Sequence, residues 1–163
     1  MSESNNNAVE ISALTIHQPY AGMIFVPHTA RKAIENRTWK VPQERLPMPM
    51  AVHASAMRMA GDGAKGLCAR LAELLGLNPS VMEAVIDVHQ AVLGIVTVTA
   101  VEVFSDVHAG DIWATGPYCW RLERPELLLG GPWRCRGRQG LWRLELPVEK
   151  VPPVYRHLLE KGR

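Results

Sequence analysis

Cysteine is scarce in this 163-residue chain: Cys68, Cys119 and Cys135 are all it has. Their number is odd and no Cys-x-x-Cys spacing occurs, which argues against both a disulfide framework and a thiolate zinc site. A reducing, cytoplasmic setting is the expectation. Long apolar runs are missing too, since none approaches the ~20 residues that a membrane helix needs. Charge of one sign is not in excess either: 18 Lys and Arg face 16 Asp and Glu, for a net charge of +2 and a pI near 8.5. That balance falls short of a dedicated nucleic-acid scaffold and is small for multi-phosphate binding. Residues 1–10 are rich in Ser and Asn and have neither a basic n-region nor an apolar h-region, so they read as a disordered tail rather than a signal peptide. No phosphate loop, no Ser-His-Asp order and no internal repeat is found.

What is present is enough apolar residue, 47% of the chain, for one core, and residues 11–163 read as a single domain. A short β-like run at 14–17 precedes Pro19, which fits the first turn of a helix reaching about Phe25 and ended by Pro27 and His28. A strand carrying residues 32–39 follows, then a loop with Pro42, Pro47 and Pro49, then a strand at 50–54. Gly61 and Gly63 open a helix in which Leu67, Cys68, Leu71, Leu74 and Leu75 recur at helical spacing, and Gly76 caps it. Asn78-Pro79 starts another, with Val81, Met82, Val85 and Ile86 as its apolar stripe. A long β run at 92–104 changes phase near Ala100, which predicts a bulge or a doubly buried strand. Strands at 118–123 and 141–146 and a short helix after Pro152-Pro153, ending about Glu160, complete the chain. Strands with inserted helices and no βαβ repetition predict an α+β fold built on a mixed β-barrel, flanked by helices and carrying a helical insert.

The charges are not spread evenly. Arg31, Lys32, Arg37, Lys40 and Arg45 face only Glu35 and Glu44, and six arginines between Arg121 and Arg143 face only Glu123 and Glu126. The first stretch reads Arg-Lys-Ala-Ile-Glu-Asn-Arg-Thr-Trp from Arg31 to Trp39. Alternation on a strand puts Glu35, Arg37 and Trp39 on one face, whereas Lys32 breaks the parity and joins them only from the strand mouth or through a bulge. A surface ladder of ion pairs would contribute ~0–1 kcal/mol each and need no function. A converged cation, carboxylate and cation beside an indole would be a site.

Three further segments surround this cluster: Leu14-Thr15-Ile16-His17-Gln18-Pro19-Tyr20-Ala21-Gly22, Met50-Ala51-Val52-His53-Ala54-Ser55, and Gly116-Pro117-Tyr118-Cys119-Trp120-Arg121-Leu122. In this order, over roughly residues 12–147, the chain resembles the ASCH domain family of the PUA-like superfamily. Lys32, Glu35 and Arg37 match the family's Gly-x-Lys-x-x-Glu-x-Arg pattern, with Ala30 in the glycine's place. The insert after Ser55 is similar to the endothelial-overexpressed lipopolysaccharide-associated-factor type.

The resemblance implies a PUA-like barrel with a cleft between the first helix and the sheet that accepts nucleic acid or a modified base, without a cofactor or metal. Some small ASCH proteins are amidohydrolases that remove the acyl group from N4-acetylcytidine, and the lysine matching Lys32 is catalytic in them. Their threonine nucleophile falls where this chain has Glu35. The expectation is therefore that Glu35 activates water, Lys32 holds the developing charge or protonates the amine, and Arg37 orients the glutamate. Glu102, Asp106 and Asp111 are candidates for a second carboxylate. Gln18, Trp39, His53, Ser55, Tyr118 and Trp120 form the candidate substrate-binding set. A base stacked on an aromatic gains ~1–3 kcal/mol, and Gln18 could read a pyrimidine edge or cap the helix. His17, Trp113, Trp133 and Trp142 read as structural. The expected substrate is an acylated cytidine or related modified nucleoside, free or in RNA, with no membrane partner. The alternative is a non-catalytic RNA-binding or modified-base-binding module, or a ribonuclease, in which Arg134, Arg136 and Arg138 contact phosphates.

Overall fold

The structure is a computed structural model describing residues 7–26, 29–58 and 63–160, with the side chains of residues 63, 64, 81, 84 and 85 excepted. The expectations for residues 1–6, for Pro27, His28 and Gly61, and for the side chains of Val81 and Val85 lie outside the described residues. Strand β1 (Ala8–Ile16) is followed by the one-turn helix α1 (Tyr20–Met23) and strand β2 (Ile34–Arg37). Strand β3 (Met48–Ala54) leads to helices α2 (Gly63–Leu75) and α3 (Pro79–Ile86). Strands β4 (Ala91–Val103), β5 (Tyr118–Leu127), β6 (Trp133–Arg134) and β7 (Leu141–Pro147) precede helix α4 (Pro153–Glu160). The fold is α+β.

All seven strands share one mixed sheet in the order β2-β5-β4-β3-β1-β7, with β6 added on β4. β1 and β3 are parallel and the other pairs antiparallel. In a flat sheet four spacings of about 4.8 Å would separate β2 from β1. Arg37 on β2 nevertheless donates to the carbonyl of Thr15 on β1 at 3.2 Å. The sheet is therefore curled into a half-barrel whose two ends approach each other.

Period-two alternation divides the core between the faces of this sheet. Leu14 and Ile16 of β1 join Met48, Met50, Val52, Val96, Val98 and Trp120 on the concave side. Val9, Ile11 and Ala13 turn the other way and meet Ala51, Ile95, Leu146 and Tyr155, so α4 covers the opposite face. A third cluster joins Met23, Ile34, Cys68, Met82 and Trp113, packing the helical insert beside β2. Residues 91–98 of β4 are all buried, as a strand covered on both faces requires.

Several local expectations have visible causes. Gly76 adopts φ 66° and closes α2 by a Schellman pair, Leu77 N–H to Ala72 O at 2.8 Å and Gly76 N–H to Glu73 O at 3.3 Å. Asn78 caps α3 through Ser80 N–H at 3.0 Å. The phase change in β4 is a register shift between Val98 and Ala100, with a second between Ile95 and Thr97. Others need correction. Residues 8–10, expected in the tail, pair with residues 145–147 of β7. The first helix is one turn long, and Pro19 is its N-cap rather than a residue inside it. β5 runs on to Leu127, carrying Pro125 where its register against β4 is irregular, the setting in which a strand tolerates proline. Among the described residues no helix is long and apolar enough to cross a membrane.

Candidate functional site

Lys32 sits just ahead of β2, where its backbone N–H donates to Met23 O at 2.8 Å and ties the strand mouth to the end of α1. Its side chain folds back to reach Ile34 O and Glu35 Oε2, the latter at 2.6 Å. Glu35 and Arg37 share a face of β2, as alternation requires, and the Arg37 guanidinium engages Glu35 Oε1 through Nε at 3.0 Å and Nη2 at 2.9 Å. One carboxylate is thus held between two cations, one oxygen each. Lys32 and Glu35 are 4% and 6% exposed and Arg37 is half-buried, so this is a buried Lys32–Glu35 pair flanked by a partly exposed guanidinium and not a surface ladder.

The triad forms part of a cavity of about 540 Å³ between the insert, α1 and the curled sheet. Thr15, Ile16 and His17 at the end of β1 line one side, Tyr20 of α1 and Leu71 and Leu74 of α2 another, and Ile112, Trp113 and Thr115 a third. Asn36 holds this last wall. Its Nδ2 donates to Trp113 O at 2.7 Å, and its Oδ1 accepts from Thr115 N–H at 2.8 Å and Gly116 N–H at 2.9 Å. The volume lies within the 300–1,000 Å³ common for small-molecule sites.

The candidate substrate-binding residues are mostly elsewhere. Trp120 is fully buried, meets Trp39 edge to face at 4.9 Å and donates Nε1–H to Trp39 O at 3.3 Å. Trp39 leaves the shared face because β2 ends at Arg37. Tyr118 lies beneath Lys40, 6.0 Å from its ring centroid. None of these aromatics lines the cavity; Tyr20 and Trp113 do. Gln18 is buried, donating to Val88 O at 2.8 Å and accepting Gly22 N–H at 3.0 Å, so it braces α1 against the segment after α3. Ser55 is buried with its Oγ 2.8 Å from His17 Nδ1, and it supports the cavity through His17. His53 is on the other face of β3, between Thr15 Oγ1 at 3.3 Å and Cys135 O at 2.8 Å. Among the second-carboxylate candidates, Glu102 is taken up by Arg121 and His108, at 2.8 and 3.0 Å. Asp111 accepts Trp113 N–H at 2.9 Å and stabilises the charged form of Lys32.

The sequence alone does not mark His17, Tyr20, Asn36 or Trp113 as cavity residues. Asn36 carried a signal, because Asn is depleted in strands and stands here inside one. Trp113 carried none, being brought to the site from 77 residues away by the Asn36 contacts.

Burial lowers the pKa of Lys32 from its ordinary 10.5; the Glu35 carboxylate opposes the shift and Arg37 adds to it. The direction has a simple origin. The amine is cut off from water, which disfavours its charge; Glu35 supports that charge but is shared with the always-charged Arg37 guanidinium, so burial prevails. Among the described residues no three His, Cys, Asp or Glu side chains come together as a metal-binding group. The sequence matches no family model, and no curated protein matches it.

Proposed function

We propose that the chain is an amidohydrolase of the PUA-like ASCH type, acting on the N4-acyl group of a cytidine in this cavity. The observation that carries the reading is the buried Lys32–Glu35 pair, joined by the partly exposed Arg37, opening into a cavity of about 540 Å³. Both oxygens of Glu35 are already engaged, by Lys32 and Arg37, so the proton-handling role passes from Glu35 to Lys32. In its neutral form, which burial favours, the Lys32 amine takes a proton from water as the water oxygen bonds to the acyl carbon. The oxyanion faces the Arg37 guanidinium. Lys32 then returns the proton to N4, the C–N bond breaks, and cytidine and the free acid leave. Glu35 holds Lys32 in place and balances its transient charge. Trp113 and Tyr20 offer aromatic surfaces to the base.

The test is incubation of the purified protein with N4-acetylcytidine and chromatography for cytidine. Lys32→Met, which keeps the length of the side chain and lets Glu35 stay paired with Arg37, is expected to lower kcat by at least ~100-fold while far-UV circular dichroism stays native. Absence of turnover in the wild type, or turnover that survives in a folded Lys32→Met protein, overturns the reading.

A further inference from the structure

A second concavity, of about 370 Å³, lies on the other side of Thr15, lined among others by His53, Gln90, Arg136, Gly137 and Arg138. The loop that forms it is fastened at its backbone. Cys135 N–H donates to Gln90 O at 3.2 Å and Cys135 O faces His53 Nε2 at 2.8 Å. Gly137 then passes so close to the sheet that a Cβ there would lie 2.6 Å from His53 Cε1 and 2.7 Å from Thr15 Oγ1. Only glycine permits that approach. Gln90 contributes a left-handed backbone, φ 53°, a conformation rarely held by a residue with a side chain.

The clamped backbone presents Arg136 and Arg138, both exposed, on either side of Gly137. Among the described residues no carboxylate pairs with Arg134, Arg136 or Arg138. Residues 133–143 hold no Asp or Glu at all. Unpaired guanidinium groups over a rigid concavity suit a planar-forked contact with an oxyanion, phosphate above all. Thr15 lines both this concavity and the Lys32 cavity. We propose that the loop holds a phosphate joined to the cytidine whose acylated base occupies the cavity, making the substrate a nucleotide and not a free nucleoside. This rests on the hydrolase reading. A mononucleotide and a single-stranded RNA would supply the same group.

The experiment compares N4-acetylcytidine, its 3′- and 5′-monophosphates and a short single-stranded RNA containing it, with wild type, the Arg136→Ala/Arg138→Ala double variant and Arg143→Ala, whose arginine pairs with Glu10. A phosphate-bearing substrate is expected to show a KM about tenfold lower than the nucleoside. The double variant should erase that difference and Arg143→Ala should keep it. Gain with a monophosphate assigns a mononucleotide, and gain with the oligomer alone assigns RNA. Equal KM values in the wild type, or a difference that persists in the double variant, overturn the proposal while leaving the hydrolase reading intact. If nothing turns over, that reading fails. Calorimetric titration with cytidine and cytidine monophosphates then decides the phosphate site: tighter binding of a monophosphate, lost in the double variant, supports it, and equal binding overturns it.

Discussion

Asn36 shows how much one side chain can organise. It stands between the two charged residues of β2, and its amide satisfies Trp113 O, Thr115 N–H and Gly116 N–H in the loop that walls the cavity. Asn36→Ala removes these three hydrogen bonds at once, together with a weak one from Cys119 Sγ at 3.8 Å. Each neutral hydrogen bond contributes ~0.5–1.5 kcal/mol net, and part of this loop is exposed and can turn to water, so a loss of about 1–3 kcal/mol in urea unfolding is expected. If the wall contributes to substrate binding, KM for N4-acetylcytidine should rise more than kcat falls. A variant with unchanged stability would show that the loop is held by its packing and not by Asn36. The charged triad differs in how it could be read in advance. Parity alone puts Glu35 with Arg37, and Lys32, out of parity, reaches the same carboxylate from the strand mouth ahead of β2, but sequence cannot report that Lys32 and Glu35 are buried.

Among the elements, β4 constrains the fold most, because it is covered on both faces and twice changes register against β5. Gly94 lies beside the first irregularity. A Cβ there would collide with the Glu126 carbonyl of β5 and the Phe25 ring. The ring can move and the paired backbone cannot. Gly94→Ala is therefore expected to cost about 2–4 kcal/mol, at the upper end for a single substitution, read as a lower urea midpoint; a shift below about 0.5 kcal/mol would mean that β5 slides without penalty. Elements set by local chemistry are legible in the sequence: Gly76 and Asn78 mark their helix ends, and the altered alternation near Ala100 marks a register shift. The aromatic wall is not. Trp39 follows the charged cluster in sequence and Tyr118 and Trp120 stand in the Gly116–Leu122 segment, yet β2 stops at Arg37 and turns Trp39 onto Trp120. Residues 8–10 read as tail because a Ser- and Asn-rich stretch leads into them, while the partner that orders them, β7, lies more than 130 residues away.

At the scale of the whole molecule, three ionisable groups with shifted pKa values respond to pH in separate windows. Glu102, paired with Arg121 and His108, has a pKa below its ordinary 4.5, so its contribution is present above that value and is lost as pH falls through the lowered one. Lys32 is shifted down from 10.5; the unfolded chain binds the extra proton, and its effect on stability rises with pH towards 10.5. His53 covers the middle. Burial lowers its pKa from 6.5 against a smaller opposing effect of the Cys135 carbonyl. In the neutral ring Nε2–H donates to Cys135 O and Nδ1 accepts from Thr15 Oγ1, which itself accepts Trp142 Nε1–H at 3.2 Å. Adding a proton at Nδ1 removes the acceptor on which the Thr15 hydroxyl depends, and it places a cation beside Arg136 and Arg138, which line the same concavity. Below pH 6.5 the unfolded chain therefore binds the proton that the native state resists. Stability should fall as pH is lowered from about 7 to 5, and His53→Gln, which cannot titrate, should flatten the profile over that interval while leaving the Glu102 window below it. Urea midpoints of both proteins across pH 4 to 8 would measure this. A wild-type midpoint that is constant from 7 to 5, or a His53→Gln profile as steep as the wild type, would mean that His53 is not the group controlling stability in that range.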